Sequence, residues 1–277
     1  MTSQDDQDRA SGRFDFYRSQ YRRFSSDLAG ELRREVYGED IGQQGWRTAV
    51  EQAEIADHLC LGQDSRVLDI ACGAGGPSLA LVRQTRCHLT GLDVEADGIA
   101  QAQAEALSRG LTDYATFVHR DCNGRLPFED GAFDAVLCID AITHLGDRFG
   151  TIAEWARLLR QGGRLVFTDS AVVTGAITKS ELDIRCTTGF FLLVPPGLDQ
   201  EAIEAAGLTL VTSEDRTAAT AKIAANWHAA RLRHAAELER EEGAERFAKL
   251  QHYYATASEL AASRRLSRFL YVGEKAG

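Results

Sequence analysis

Three aspartates, Asp69, Asp93 and Asp121, each stand at the end of an apolar segment of the sequence. A carboxylate at such a position can attract a cation or accept hydrogen bonds from ribose hydroxyls or an amino group. The alternative for each aspartate taken alone is structural, because aspartate commonly caps the helix that follows a strand. Since all three are in register with a glycine-rich turn, we expect them to surround a ligand.

The glycine-rich turn lies within VLDIACGAGGPS, residues 67–78. Gly73 and Gly75 permit a tight turn and a close approach of the backbone to a ligand. A dinucleotide site uses such a turn to bind pyrophosphate, but Ser78 replaces the third glycine of that motif and Asp69 would repel a phosphate. The turn therefore favours S-adenosylmethionine, which carries a sulfonium and an ammonium and no phosphate, over a nicotinamide dinucleotide.

A candidate general base follows the fourth predicted strand, where the sequence reads DAITH from Asp140 to His144. Methyl transfer is an in-line displacement, and a neutral hydroxyl or a protonated amine needs a base. An imidazole, with an ordinary pKa near ~6.5, can remove that proton. The alternative for His144 is a surface or capping role, and the same holds for Asp140 and for Asp169, which ends the fifth strand.

The elements that must position these residues alternate between strands and helices. Strands are predicted at residues 66–71, 88–93, 116–121, 133–140, 163–169, 208–215 and 268–272, with helices at 78–84, 96–108 and 149–159. This alternation predicts right-handed βαβ units and a parallel sheet covered on both faces, with ligands beyond the carboxyl ends of the strands. We therefore predict an α/β fold, a Rossmann-like doubly wound, mostly parallel sheet with a helical N-terminal segment and a helical C-terminal lid insertion.

We predict a single domain over residues 13–277, after a disordered tail over residues 1–12. Its predicted parts are a helical N-terminal cap (13–59), a cofactor-binding core (60–170), an acceptor and lid region (171–265) and a closing strand (266–277). Residues 218–262 are helical in pattern. Four aromatic residues of this stretch could line a lid over the acceptor: Trp227, Phe247, Tyr253 and Tyr254.

The composition argues against several other classes of protein. The 277 residues carry 31 Lys and Arg against 41 Asp and Glu, and the net charge of −10 disfavours nucleic acid as a partner. The sequence contains no apolar run long enough to span a bilayer and no signal-peptide pattern, so we predict a cytoplasmic protein without membrane association. The six cysteines form no CxxC pair, and no metal site is predicted.

The motifs VLDIACGAGG, GLDVEADGI, HRDCNGRLPFEDGAFDAVLCIDAITHL and LLRQGGRLVFTD resemble, in order and spacing, those of class I S-adenosylmethionine-dependent methyltransferases. The resemblance is strongest to the small-molecule branch, which includes phosphoethanolamine and sugar O-methyltransferases, and it runs nearly from Tyr37 to Asp169. One departure is Ala71, which stands where the first glycine of the loop is usual. The resemblance implies S-adenosylmethionine as the cofactor and a small molecule as the methyl acceptor.

The resemblance also implies which residues contact the cofactor. The methionyl part would lie among Asp69, Ala71, Gly73 and Gly75, the ribose at Asp93 and Val94, and the adenine at Asp121 and Cys122. The carbonyl of Ile139 would accept from the cofactor ammonium. Gln20 and Gln43 match positions that cover the cofactor in the phosphoethanolamine enzymes.

For the chemistry, the resemblance pairs Tyr21 with His144, gives Asp140 the role of orienting the acceptor, and likens Asp169 to a pocket carboxylate of sugar O-methyltransferases. For Tyr21 the alternative is plain helix packing. The predicted catalytic residues are therefore His144, Tyr21, Asp140 and Asp169.

The predicted acceptor pocket differs from that of the phosphoethanolamine enzymes, which bind phosphate with arginine and tyrosine side chains. The matching positions here include Ser170 and Phe191, and phenylalanine offers a phosphate no donor. We therefore expect a mainly apolar acceptor with an amine or a hydroxyl, such as a specialised metabolite. The predicted substrate contacts are Phe190, Phe191, Leu192, Ser170 and Tyr17, although the first three could equally be core residues.

The sequence leaves several alternatives open. A C-methyltransferase could also use His144 as its base, and a regulatory protein could keep the cofactor site without turnover. An RNA or protein methyltransferase is disfavoured by the acidic charge and by the lack of a basic, aromatic-rich appendage. The chain could act as a monomer or as a homodimer.

Overall fold

A computed structural model describes residues 17–277. The predicted tail and the first residues of the N-terminal cap lie outside these residues. A seven-stranded sheet forms the centre, in the order β3-β2-β1-β4-β5-β7-β6. The strands are β1 (Arg66–Ile70), β2 (His88–Asp93), β3 (Ala115–His119), β4 (Phe133–Cys138), β5 (Leu159–Val173), β6 (Leu208–Asp215) and β7 (Leu266–Lys275).

The first five strands pair in parallel, and β7 runs antiparallel to both of its neighbours, β5 and β6. The strand order reverses between β1 and β4, which places a crevice beyond the carboxyl ends of these two strands. The predicted mostly parallel, doubly wound sheet is confirmed.

Ten α-helices are described between Asp27 and Ala262, and most of them flank the sheet. They are α1 (Asp27–Tyr37), α2 (Ala49–Leu59), α3 (Gly76–Thr85), α4 (Ala96–Ser108), α5 (Arg148–Leu158), α6 (Lys179–Arg185), α7 (Leu198–Ala205), α8 (Thr217–Arg233), α9 (Ala235–Glu242) and α10 (Ala244–Ala262). Residues 17–22 are also helical. None of the described helices is long and apolar enough to cross a membrane.

Alternating side chains of the strands build a core on each face of the sheet. In β1, Leu68 and Ile70 join one buried cluster, whereas Val67 joins the other. This alternation follows from the two-residue period of a strand, and burial on both faces is typical of parallel sheets.

A third apolar cluster joins the N-terminal helices to the C-terminal insertion. Leu28 and Leu32 of α1 pack with Ile223 of α8 and with Leu250 of α10. The side chain of Asn226 donates to the carbonyl of Val36 at 2.9 Å. We call this layer of α1, α8, α9 and α10 the helical cap.

The helical cap differs in detail from the prediction. The helical stretch over residues 218–262 is divided into three helices by breaks at His234 and at Gly243, whose φ of +85° favours glycine. The sequence reasoning also missed α6 and α7. In α6 the missed signal is a capping box between Thr178 and Glu181.

Candidate active site

A cavity of about 1380 Å³, including the space at its mouth, lies between the carboxyl ends of the strands and the helical cap. Its sheet wall follows the strand ends at residues 71–74, 93–95, 121–123 and 139–141. Its cap wall consists of Tyr17, Gln20, Tyr21, Trp46, Arg47, Arg185, Phe191, Trp227, Tyr253 and Tyr254.

The glycine-rich turn forms the floor of the sheet wall. Ala71, Gly73 and Gly75 all have a positive φ, between 57° and 73°. A Cβ on Gly76 would lie 2.4 Å from the carbonyl oxygen of Ile41, so the turn is in direct contact with the loop before α2. Gly75 does not line the cavity, because it packs below the turn against α4 and β3.

Asp93 ties the glycine-rich turn to the end of β2. One carboxylate oxygen accepts from the backbone N–H of Gly73 and the other from that of Glu95, both at 2.8 Å. Asp93 and Val94 both line the cavity. The carboxylate is thereby fixed at the edge where the sequence predicts the ribose.

The end of β3 contributes Asp121, Cys122 and Asn123 to the sheet wall. Asp121 accepts from the backbone and side-chain N–H groups of Asn123 at 2.9 and 2.7 Å. Burial raises the pKa of the Cys122 thiol to about 12, so this cysteine acts as a small apolar group.

Asp69 lies behind the sheet wall rather than in it. Its carboxylate accepts from the hydroxyl of Ser78 at 2.6 Å, and burial raises its pKa to about 6. Arg47, which does line the cavity, is close enough to Asp69 to oppose this shift. Sequence reasoning missed Arg47, because only the fold brings the loop before α2 to β1.

Asp140 lines the cavity, but its carboxylate is engaged in the framework. It accepts from the backbone N–H of Trp46 at 2.7 Å and from Arg268 at 2.6 Å. Arg268 also binds Glu51 of α2. Asp140 therefore joins α2, β4 and β7, which corrects the prediction that its carboxylate is available to orient an acceptor.

His144 follows β4 and contacts the cap wall. Its Nδ1 lies 2.8 Å from the carbonyl oxygen of Phe190 and its Nε2 lies 2.9 Å from the hydroxyl of Tyr17. A carbonyl can only accept, so Nδ1 carries the proton in neutral His144 and Nε2 offers its lone pair to Tyr17. The histidine is thus held in the tautomer that a base requires.

Tyr17, rather than Tyr21, is the tyrosine in contact with His144. The two tyrosine rings stack with centroids 6.4 Å apart. Tyr21 is buried beside Asp93, and its burial raises the pKa of its hydroxyl. The predicted pairing of Tyr21 with His144 is corrected accordingly. Gln20, predicted to cover the cofactor, lines the cavity.

Asp169 does not reach the cavity. It is completely buried and accepts from Arg148 at 2.6 Å and from the backbone N–H of Ala171 at 2.7 Å. Arg148 also lies 3.3 Å from Asp199, so the three side chains form a buried cluster behind the sheet wall. This corrects the predicted place of Asp169 in the acceptor pocket.

Gln43 is also turned away from the cavity. Its side chain bonds to the carbonyl of Glu39 and to the backbone N–H of Ile41, which fixes the loop before α2. Its neighbour Gln44 lines the cavity instead. Gln43 therefore stabilises the loop before α2 without lining the cavity.

The predicted substrate contacts divide into two groups. Tyr17, Ser170 and Phe191 line the cavity. Phe190 is 42 % exposed and holds His144 through its carbonyl, while Leu192 donates its backbone N–H to the carbonyl of Thr143. The segment after α6 therefore positions the loop of His144 as well as supplying Phe191.

Three of the four aromatic residues predicted to line a lid face the cavity, together with an arginine that was not predicted. Trp227, Tyr253 and Tyr254 line the cavity, whereas Phe247 packs inside the helical cap. Arg185 also lines the cavity, at the end of an unpredicted helix. The signal for it was the single arginine that precedes GFF in the segment after β5.

Residues 68–167 match the family model described as a methyltransferase domain. A sterol 24-C-methyltransferase of Gibberella zeae is 31 % identical over 70 % of this chain and 52 % of its own length. The 27-O-demethylrifamycin SV methyltransferase of Amycolatopsis mediterranei is 28 % identical over 68 % of this chain and 74 % of its own length. The chain covers most of the rifamycin relative, but it spans about half the length of the sterol relative and of the other curated relatives considered.

The fold is shared with a cyclopropane synthase from Mycobacterium tuberculosis, at a TM-score of 0.79 and 17 % identity, over 95 % of this chain and 98 % of that one. The sheet and its flanking helices thus have the Rossmann-like fold of this structural neighbour. Residues 68–167 are similar to a methyltransferase domain, and the curated relatives named here are methyltransferases of small molecules.

Proposed function

We propose that this protein transfers a methyl group from S-adenosylmethionine to an amine or hydroxyl of a mainly apolar small molecule, with His144 as the general base. The observation that carries the proposal is the chain of contacts from the Phe190 carbonyl through His144 to the Tyr17 hydroxyl, at the cavity wall. Because Tyr17 lines the cavity, its hydroxyl connects an acceptor there with Nε2 of His144.

The sheet wall fits S-adenosylmethionine. Asp93 is fixed where ribose hydroxyls would donate. Arg47 lines the cavity, and its guanidinium suits the carboxylate of the cofactor's amino-acid part. When bound, the cofactor supplies a methyl group on a positively charged sulfur.

The protein's own part in the reaction is to align the acceptor and to remove its proton. His144 Nε2 would take the proton, by way of the Tyr17 hydroxyl, as the acceptor atom bonds to the methyl carbon. The aromatic residues of the cap wall would exclude water from the cavity. Alignment and exclusion of water account for most of what such a displacement needs.

The relatives support a small-molecule acceptor and differ in the methylated atom. One is named for methylation at a carbon of a sterol and the other for an oxygen of a rifamycin. The rifamycin relative favours a specialised metabolite with a hydroxyl. The sterol relative supports the second candidate, a C-methyltransferase in which His144 removes a proton from carbon.

The proposal is tested by incubating the purified chain with S-adenosylmethionine and a panel of aromatic phenols, amines and activated carbon acids. Mass spectrometry of the products identifies the methylated atom, and the release of S-adenosylhomocysteine measures turnover. Methylation of a phenol or amine is expected. Cofactor binding without turnover across the whole panel would favour a regulatory protein instead.

A further inference from the structure

Arg185 is a buried cation on the cap wall. It ends α6 and only 3 % of its surface is exposed. The helix is held at its start by the capping box of Thr178 and Glu181, and Glu181 also binds Arg265 at 2.6 Å. The position of Arg185 in the cavity is therefore fixed by the framework.

The other buried arginines of residues 17–277 all bind carboxylates. Arg33 binds Asp40, Arg148 binds Asp169 and Asp199, Arg231 binds Glu242, and Arg268 binds Glu51 and Asp140. Arg185 forms no ion pair with any carboxylate of those residues. Its hydrogen-bond partner is the hydroxyl of Tyr253, at 3.1 Å from Nη1.

Three aromatic rings surround the Arg185 guanidinium. Its Cζ lies 4.6 Å from the ring centre of Phe191, 5.3 Å from that of Tyr253 and 5.9 Å from that of Trp46. Aromatic faces attract a cation, but they do not replace the hydrogen bonds that a guanidinium makes to an anion. A buried charge without a counter-ion is costly, so its retention calls for a ligand that supplies one.

Arg185 and His144 lie on either side of one phenylalanine. The ring centre of Phe191 is 4.7 Å from that of His144 and 4.6 Å from the Arg185 guanidinium carbon. An acceptor that lies along Phe191 can therefore reach both residues. An anionic group held at Arg185 would hold the nucleophilic atom of the same molecule near His144.

We infer that Arg185 binds a singly charged planar oxyanion, such as a carboxylate, on the aromatic or apolar methyl acceptor. The inference rests on the proposed function and narrows its acceptor class. The guanidinium fork matches a carboxylate with two parallel hydrogen bonds. A phosphate dianion fits less well, because Arg47, the other arginine of the cap wall, lies close to Asp69. The opposite wall carries Asp93, Asp121 and Asp140.

The inference is tested by calorimetry on the full chain saturated with S-adenosylhomocysteine. The probes are a hydroxynaphthoic acid, its uncharged primary amide and the corresponding naphthyl phosphate. Wild type should bind the acid about tenfold more tightly than the amide, as expected for one charge-assisted hydrogen-bonded pair. The phosphate should bind no better than the acid.

Variants assign the preference to Arg185. Arg185→Met should abolish the preference for acid over amide, Arg185→Lys should retain part of it, and Arg240→Met, at an exposed site of the helical cap, should leave it unchanged. Because Arg185→Met strands no carboxylate, it should melt at or above the wild-type temperature. Arg268→Met, which leaves Glu51 and Asp140 without their cation, should melt well below it.

Several results would overturn the inference. They are equal binding of acid and amide, no binding of the acid, a preference that survives Arg185→Met, or an Arg185→Met variant as unstable as Arg268→Met. Tighter binding of the phosphate would overturn the assignment of a single charge. Failure to bind S-adenosylhomocysteine would instead contradict the proposed function, and the acid–amide comparison would then be decided on the cofactor-free chain.

Discussion

The two walls of the cavity are built in different ways. The sheet wall comes from the four strand ends between residues 71 and 141, and it offers backbone groups and fixed carboxylates. The cap wall is assembled from segments between Tyr17 and Tyr254, and it offers aromatic rings and arginines. Such a division allows a constant ligand on one wall and a specialised acceptor on the other. Single substitutions on each wall can separate their contributions by experiment.

The largest effect on turnover is expected at His144, where the two walls meet. Replacing His144 with Ala should lower turnover about a hundredfold or more, because the base is removed. The affinity for S-adenosylhomocysteine should stay the same, since the predicted cofactor contacts are at the glycine-rich turn and the strand ends and do not include the His144 side chain. Steady-state kinetics and calorimetry measure the two quantities.

An equal loss of turnover and of cofactor affinity in His144→Ala would contradict this separation of the walls. His144→Gln is a useful companion variant, because an amide can still hydrogen-bond to Tyr17 but cannot act as a base. It should be as inactive as His144→Ala.

A pH-dependent change in stability is expected at Asp69, which lies behind the sheet wall. Burial raises the pKa of Asp69 from 3.8 to about 6, so between these values the folded chain keeps a proton that the unfolded chain has released. The free energy of unfolding should therefore fall as the pH rises through this window. The free energy of unfolding of Asp69→Asn should not fall in this window. Above it, the variant should be more stable than wild type by on the order of 2 kcal/mol.

Chemical denaturation of both proteins at several pH values measures the Asp69 effect. A constant difference between wild type and Asp69→Asn from pH 4 to pH 6 would show that the carboxylate is not destabilised by burial.

A smaller loss of stability is expected for Gly76→Ala. The added Cβ would meet the backbone of Ile41 at 2.4 Å and that of Gly42 at 2.7 Å, so the loop before α2 must move. Overpacking of this kind costs about 1–3 kcal/mol. Gly62→Ala is the matched control, because its Cβ would meet only the Ser65 hydroxyl oxygen at 3.8 Å.

Urea unfolding of the two glycine variants checks this prediction. If Gly76→Ala proves as stable as Gly62→Ala, the turn and the loop are not in the tight contact described. Cofactor affinity should fall in Gly76→Ala alone.

The smallest effect on turnover is expected at the two stacked tyrosines, Tyr17 and Tyr21. Tyr17→Phe removes the hydroxyl that passes the proton to His144 and should lower turnover about tenfold, because Nε2 of His144 can then take the proton directly but without that hydrogen bond. Tyr21→Phe should have less effect on turnover, since Tyr21 is buried beside Asp93. The opposite order would restore Tyr21 as the partner of the base.

The sheet wall was largely predictable because its residues are encoded locally. Each strand end is marked by the change from an apolar run to an aspartate or glycine, and parallel strands bring those ends to one edge. Asp93, Gly73 and Asp121 were found in this way. Asp69 was predicted beside the glycine-rich turn, but its position behind the sheet wall was not predicted. The sequence does not show on which side of the turn the Asp69 side chain lies.

The cap wall was only partly predictable because long-range packing builds it. The helical periodicity of Tyr17 and Tyr21 does not reveal which of them meets His144, over a hundred residues away. Arg185 and Arg47 lie in segments without a strong pattern, and their burial depends on neighbours from other elements. Asp169 was predicted to end a strand, but it lies within β5, and its ion pair with Arg148, which also contacts Asp199, keeps it in the core.

The most direct test of the account is calorimetry of the purified chain with S-adenosylhomocysteine and, separately, with a nicotinamide dinucleotide. The account predicts binding of S-adenosylhomocysteine, weakened about tenfold or more in Asp93→Ala through loss of the ribose contacts, and no binding of the dinucleotide. A wild-type chain that binds the dinucleotide and leaves S-adenosylhomocysteine in solution would contradict it.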